Sequence, residues 1–161
     1  MAVYSTADIS VNFAAITQQA ITLQDIAELH KIELAANPYP WPVSAFTSSF
    51  SALYYNFKLT LEQQIVGYVF CKIVADQAEL FNICVNPYFQ GKGYGKQLLQ
   101  QLINDLSAKK ITELWLEVRA SNHIAIGLYE SFGFACADIR PNYYTNAQGA
   151  EDAHIMCLYL L

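Results

Sequence analysis

Seven residues in the middle of the chain, Gln90-Gly91-Lys92-Gly93-Tyr94-Gly95-Lys96, have the types and spacing to hold an anion. They precede a segment with helical periodicity. A glycine-rich turn at a helix start aims several free amides and the positive end of the helix dipole at one point, which suits phosphate. As a bare motif the segment reads equally as a flexible turn, so its spacing must decide. A nucleotide-hydrolysing P-loop is excluded, because G-x-x-x-x-G-K-S/T cannot be laid over it and Gln97 stands where Ser or Thr would follow Lys96. A dinucleotide-binding turn fits in part, with Gly91 and Gly93 as G-x-G and Glu117 about 20 residues on. Lys96 replaces its third glycine, however, and the segment follows strands joined by hairpins too short for parallel crossovers. What remains is Q-x-x-G-x-G, filled by Gln90, Gly93 and Gly95.

Other reactive side chains are sparse. His30, His123 and His154 lack the close pairing of helical or hairpin metal sites, and no metal is expected. Cys71, Cys84, Cys136 and Cys157 form no C-x-x-C pair and sit in apolar stretches, so reduced thiols are expected.

The elements that position these residues follow from periodicity. Residues Met1 to Val11 read as a loose leader and residues 12–161 as one domain, with a short strand around Phe13 to Ile16. Thr22 opens a helix with Asp25 in the capping-box position and Leu23, Ile26, Leu29, Ile32 and Ala36 at helical spacing. Asn37-Pro38-Tyr39-Pro40-Trp41-Pro42 ends it. Ser44 is placed to cap a second short helix, and Phe57, Leu59 and Leu61 then alternate with polar residues as in a half-buried strand. Two strands follow, Ile65 to Ala75 and Ala78 to Val85, separated by breaks around Gln63-Gln64 and Asp76-Gln77 that leave room only for tight hairpins. After the glycine segment, Leu98, Leu99, Leu102, Ile103 and Leu106 mark one face of a helix. A strand from Glu113 to Val118, a helix from Asn122 to Phe132 stopped by Gly133, and strands at Phe134 to Ile139 and Ala153 to Tyr159 complete an α+β chain with a mixed, mostly antiparallel sheet.

Composition bounds the function. The 161 residues are 54% hydrophobic and 14% charged, which excludes disorder as the dominant state. The longest apolar run, Ile155 to Leu161, is far short of the about 18–20 residues a membrane helix needs, so a cytoplasmic protein without a membrane partner is expected. A net charge of −5 with nine Lys and Arg argues against direct nucleic-acid binding, and a basic polypeptide would be electrostatically welcome.

With the loop pattern lying after an antiparallel meander and before a helix, the chain resembles the GNAT superfamily of acetyltransferases. The likeness extends through Leu80-Phe81-Asn82-Ile83-Cys84-Val85, Trp115-Leu116-Glu117-Val118-Arg119-Ala120-Ser121-Asn122, Leu128-Tyr129-Glu130-Ser131-Phe132-Gly133-Phe134, Arg140, Asn142-Tyr143-Tyr144 and Glu151-Asp152-Ala153. Within the superfamily these segments are most similar to the ribosomal-protein-alanine N-acetyltransferases. The resemblance implies a sheet whose two middle strands splay apart, helices on both faces, and acetyl-coenzyme A as cosubstrate. It implies that the backbone amides of Gly91, Lys92, Gly93, Tyr94, Gly95 and Lys96 cradle the pyrophosphate and that Ile83, Cys84 and Val85 hold the pantetheine arm and polarise the acetyl carbonyl. Asn122 would bind the coenzyme or cap its helix.

The same resemblance makes Glu117 the general base and Tyr129 the general acid. Glu117, flanked by Trp115 and Val118, could have its pKa raised by desolvation; the plainer alternative is a solvent-facing glutamate paired with Arg119. A phenol is protonated at neutral pH and can donate, although by residue type alone Tyr129 reads as a core tyrosine. Cys84 invites an acyl-enzyme, but no histidine is an evident activator, and direct transfer is the expectation. The acceptor implied is the N-terminal α-amine of a basic ribosomal protein beginning with alanine. A small amine, a lysine side chain, or coenzyme binding without catalysis are the alternatives. Tyr39, Trp41, Tyr143 and Tyr144 could wall a peptide groove or serve ordinary packing.

Overall fold

The computed structural model describes residues 15–160. In chain order it contains β1 (Thr17–Ala20), a 3-10 turn (Leu23–Asp25), α1 (Ile26–Ala36), α2 (Val43–Ser48), β2 (Tyr54–Leu61), β3 (Gln64–Val74) and β4 (Gln77–Val85). A second 3-10 turn (Pro87–Phe89), α3 (Tyr94–Ala108), β5 (Glu113–Arg119), α4 (His123–Ser131), β6 (Ala135–Asn146) and β7 (Gly149–Tyr159) follow. The strands form one sheet in the order β1-β2-β3-β4-β5-β7-β6. Every neighbouring pair is antiparallel except β4 and β5, whose parallel pairing is made possible by the crossover through α3.

This is the α+β arrangement with a mixed sheet that the sequence predicts, with three local differences. The first strand starts at Thr17, one residue after the expected segment; Phe13 and the leader lie outside the described residues. Pro42, in extended conformation, caps α2, so Ser44 falls inside the first turn. The last two strands are longer than expected and meet in one hairpin, where a register shift between Arg140 and Tyr144 absorbs Pro141. Proline is tolerated there because β6 is an edge strand.

Two apolar layers sandwich the sheet. On one face α3 and α4 bury Leu98, Leu99, Leu102, Leu106 and Tyr129 against Val69, Leu80, Leu114, Leu116 and Met156. On the other, Leu29 and Ile32 of α1 and Phe46 of α2 pack on Tyr68, Phe70 and Cys84. The alternation of β3 shows the pleat at work, Val69 and Cys71 facing one layer while Tyr68 and Phe70 face the other. Residue types at the ends of α1 and α4 account for their limits. The Thr22 N–H donates to Asp25 Oδ2 at 2.8 Å, half of a capping box, and Lys58 of β2 reaches the other oxygen of Asp25 at 2.5 Å. Asn122 Oδ1 accepts from the Ala125 N–H at 3.2 Å and opens α4.

Strand β4 changes sides partway along. Phe70 pairs with Asn82 and Cys71 with Leu80, leaving Phe81 as an extra residue. This bulge turns Asn82 and Cys84 toward α1, whereas Ala78 and Leu80 face α3. The β4–β5 pairing stops at the same place, covering only Gln77–Leu80 against Glu113–Leu116. Beyond it the two strands diverge, as the resemblance implies. Among the described residues no helix is long and apolar enough to cross a membrane.

The α1 layer is held by a charge. Glu33 is fully buried, and its carboxylate accepts from the Tyr68 hydroxyl, from Asn82 Nδ2 at 3.2 Å, from Asn37 Nδ2 at 2.9 Å and from the Trp41 N–H at 3.1 Å. Four donors from three parts of the chain converge on one group. Removing the acceptor strands buried donors, at a cost of about 3 kcal/mol. Glu33→Ala is therefore expected to lower the melting temperature by roughly 10 °C. Glu33→Gln, which keeps an acceptor of the same shape, should lose less. Thermal unfolding checks both, and an unchanged melting temperature would show that α1 is held by apolar contacts alone.

Candidate active site

Where β4 and β5 part, a cleft of about 730 Å³ opens. Its walls come from both sides of the sheet: Ala36 at the end of α1 and Asn37 to Tyr39 after it on one side, Ala125, Leu128 and Tyr129 of α4 on the other. Between them Ile83, Cys84 and Val85 present the free edge of β4. The cleft thus passes through the sheet at the gap between its middle strands.

At one end lies the glycine segment. Gly91 and Gly93 take φ of 74° and 86°, a left-handed conformation that disfavours any side chain, and Gly93 is the residue from which α3 starts. The first bond across this start runs from the Gln97 N–H to the Gly93 carbonyl at 3.2 Å. The amides of Tyr94, Gly95 and Lys96, in the first turn of α3, precede the first intrahelical donor and carry the positive end of the dipole. Gly91, Gly93, Tyr94, Gly95 and Asn122 all line the cleft. Asn122 does so while capping α4. Lys92 and Lys96 fall outside the lining; the Lys92 ammonium instead lies over the rings of Tyr88 and Phe89, 5.5 and 5.7 Å from their centroids.

Tyr129 reaches the cleft from α4 and is only 6% exposed, its ring against Phe134. Burial pushes its phenol up to about 12, so the hydroxyl keeps its proton across the neutral range. Cys84 also lines the cleft, but burial, reinforced by the nearby Glu33 carboxylate, pushes its thiol up to about 12. A thiol this reluctant to ionise is a poor nucleophile.

Glu117 is on the opposite side of β5 from Tyr129, because Leu116 and Val118 on either side of it point into the α3–α4 layer. Its carboxylate is not enclosed by apolar groups as the sequence suggests. Its Oε1 accepts from Arg140 Nη1 at 2.6 Å, and the side chain is 24% exposed. Nor does it pair with Arg119, whose Nη1 donates to Glu151 Oε1 at 2.8 Å. Glu117 is not in the cleft wall itself; it stands two residues before Arg119, which is. Its negative charge is felt by two neighbours. The Glu79 carboxyl is raised by burial first and by Glu117 second, against the opposing pull of Lys72 and Arg140. The Tyr144 phenol is raised by burial, then by Glu117.

Of the four aromatic residues expected near a peptide groove, Tyr39 lines the cleft and Tyr144 stands beside Arg119. Tyr143 lies over Arg140. Trp41 is turned into the aromatic layer against Phe46 and Phe70 instead. Sequence reasoning missed Glu33 and Glu79. A signal existed for Glu33, since it is four residues after Leu29 and seven after Ile26, on the stripe that α1 buries. Among the described residues no group of three or more His, Cys, Asp or Glu could hold a metal ion.

Residues 26–134 match the acetyltransferase (GNAT) family. The chain is 44% identical, over 88% of its length and 96% of the relative's, to the ribosomal protein bS18-alanine N-acetyltransferase of Salmonella typhimurium. It is 46% identical to the Haemophilus ducreyi protein of that name, over 88% of this chain and 99% of the other. The crystal structure of the ribosomal-protein-S18-alanine N-acetyltransferase from Escherichia coli superposes with a TM-score of 0.87 at 42% identity, covering 91% of this chain and 94% of that one.

The thiols offer a direct check on the cleft. Cys136 is exposed, whereas Cys84 is buried and its thiol is pushed up to about 12. Brief treatment of the folded protein with iodoacetamide, read by peptide mass spectrometry, should alkylate Cys136 at least about tenfold faster than Cys84. Comparable rates would show a cleft thiol that ionises readily and would reopen the acyl-enzyme route.

Proposed function

The chain belongs to the acetyltransferase (GNAT) family, and from that premise we propose that it transfers the acetyl group of acetyl-coenzyme A to the α-amine of an N-terminal alanine, with ribosomal protein bS18 as acceptor. The observation that carries this reading is the cleft through the sheet, with the α3 amides at one end and Glu117 beside the other. Two substrates entering from opposite sides would meet in the gap between β4 and β5. Relatives of 44–46% identity along nearly their whole length support the choice of acceptor.

In this reading the free amides of the glycine turn and the first turn of α3 take the pyrophosphate. The backbone of Ile83, Cys84 and Val85, released from β5 by the bulge at Phe81, aligns the pantetheine arm and hydrogen-bonds the acetyl carbonyl. An α-amine has a reference pKa of about 7.7–8.0 and arrives mostly protonated. The Glu117 carboxylate, oriented by Arg140, removes that proton, directly or through one water. The freed lone pair attacks the thioester carbon. As the tetrahedral intermediate collapses, its nitrogen gives up a second proton to water, the C–S bond breaks and Tyr129 donates its hydroxyl proton to the departing sulfur. The proton on Glu117 passes to solvent, and the tyrosinate is reprotonated from water. The high phenol pKa suits Tyr129 to this task, because it reaches the collapsing intermediate with its proton in place.

The test is mass spectrometry of an alanine-starting bS18 peptide incubated with the protein and acetyl-coenzyme A. One acetyl group on the α-amine is expected, with none on an N-blocked, lysine-containing version. General acid and base groups each contribute about 10²–10⁴-fold, so Glu117→Gln and Tyr129→Phe should each cut kcat at least about a hundredfold. Acetylation of the blocked peptide in preference would move the acceptor to lysine. Coenzyme binding with no turnover on any amine would leave a binding protein.

A further inference from the structure

Arg119, the last residue of β5, is the meeting point of three chain segments that the sequence keeps far apart. Its guanidinium carbon lies 3.6 Å from the centroid of the Tyr39 ring, in the connection after α1, and 4.1 Å from that of Tyr144 in β6. From β7, Glu151 accepts through Oε1 from Arg119 Nη1 at 2.8 Å and through Oε2 from the Ser121 N–H at 3.2 Å. The side chains of Arg119 and Glu151 are each only 18% exposed. A planar cation held by two aromatic rings and by a carboxylate has little freedom to turn. The α1–α2 connection and the β6–β7 hairpin are therefore joined through one side chain. Both Tyr39 and Arg119 line the cleft, and Glu117 is on the same strand face two residues back, about 7 Å along β5.

We propose that Arg119 is a positioning residue which, through the rings of Tyr39 and Tyr144, fixes the separation of the two walls between which the acceptor's first residue must seat before Glu117. The proposal rests on the acceptor reading given above. Arg119 itself takes no proton and makes no bond in the transfer. Its contribution is realised when the acceptor binds, and it belongs in the acceptor KM. The planar fork is essential to this role. Lysine would preserve the positive charge opposite Glu151 but could not stack broadly on a ring.

Arg119→Met and Arg119→Lys test this with the alanine-starting peptide. Both are expected to raise the acceptor KM by about tenfold or more while kcat stays within about threefold and the calorimetric affinity for acetyl-coenzyme A is unchanged. Tyr39→Leu, which removes one ring and leaves the Arg119–Glu151 pair, should reproduce the KM effect, and combining it with Arg119→Met should add little. Amide hydrogen exchange gives a readout independent of turnover. In Arg119→Met, residues 37–42 and the β6–β7 hairpin should lose protection together. A KM unchanged in Arg119→Lys, additive effects of the two substitutions, or loss of protection in only one segment would overturn the proposal. A fall in kcat at constant KM would do so as well, by placing Arg119 among the reacting groups. If the wild-type protein leaves the alanine peptide unmodified, the acceptor reading falls, and the exchange measurement still decides whether the two walls are coupled.

Discussion

A single inserted residue governs the architecture of the site. Because Phe81 has no partner on β3, β4 bends, its side chains exchange faces, and its parallel pairing with β5 ends after four residues. Backbone amides and carbonyls beyond that point cannot be left dry without cost. In a sheet closed over its whole length they would be consumed by the ladder. Here Ile83 to Val85 retain them at the wall of a cleft, between a helix start that favours anions and a strand face that carries carboxylates. The gap also connects the two sides of the sheet, since Tyr129 and Glu117 are separated by β5 everywhere except around its freed end.

A gap in a sheet needs support on both sides, and the two sides obtain it differently. The α3–α4 layer is apolar, with Leu98, Leu99, Leu102 and Leu106 fully buried. The α1 layer combines apolar contact with the Glu33 carboxylate, which is shared among β3, β4 and the connection to α2. Burying a charge is costly unless all its lone pairs are used, so its donors must sit in one geometry. That condition transmits the position of the bulged strand to the wall that faces it, because Asn82 adjoins the bulge and Asn37 is part of the wall.

Much of this was legible in the residues themselves. Thr22 and Asp25 marked the start of α1, the two-residue breaks gave the β2–β3–β4 meander, and Asn122 and Gly133 bracketed α4. The glycine spacing located the helix start that points at the cleft. What escaped were features that depend on tertiary partners. The strand after α4 was expected to end at Ile139, yet a register shift on an edge strand carries the hairpin past Pro141 and Asn142. Arg119 seemed the natural partner of Glu117 by proximity in sequence. Its guanidinium is taken by two rings and by Glu151, and Arg140 from a different strand supplies the ion pair. Trp41 gave no sign from its type that it would turn inward toward Phe46 while Tyr39 stayed at the cleft.

The way the α1–α2 connection is tethered also bears on how such a site can diverge. Glu33 grips it through the main-chain N–H of Trp41 and the side chain of Asn37, whose Oδ1 in turn accepts from the Tyr39 N–H at 2.9 Å. The path of the wall is thus set at two fixed points by Glu33, and between them by the Tyr39 ring on Arg119. The hold on the fold and the surface shown to the cleft therefore rest on different groups of the same six-residue stretch, so that a change in the Tyr39 side chain alters the cleft without touching the bonds to Glu33.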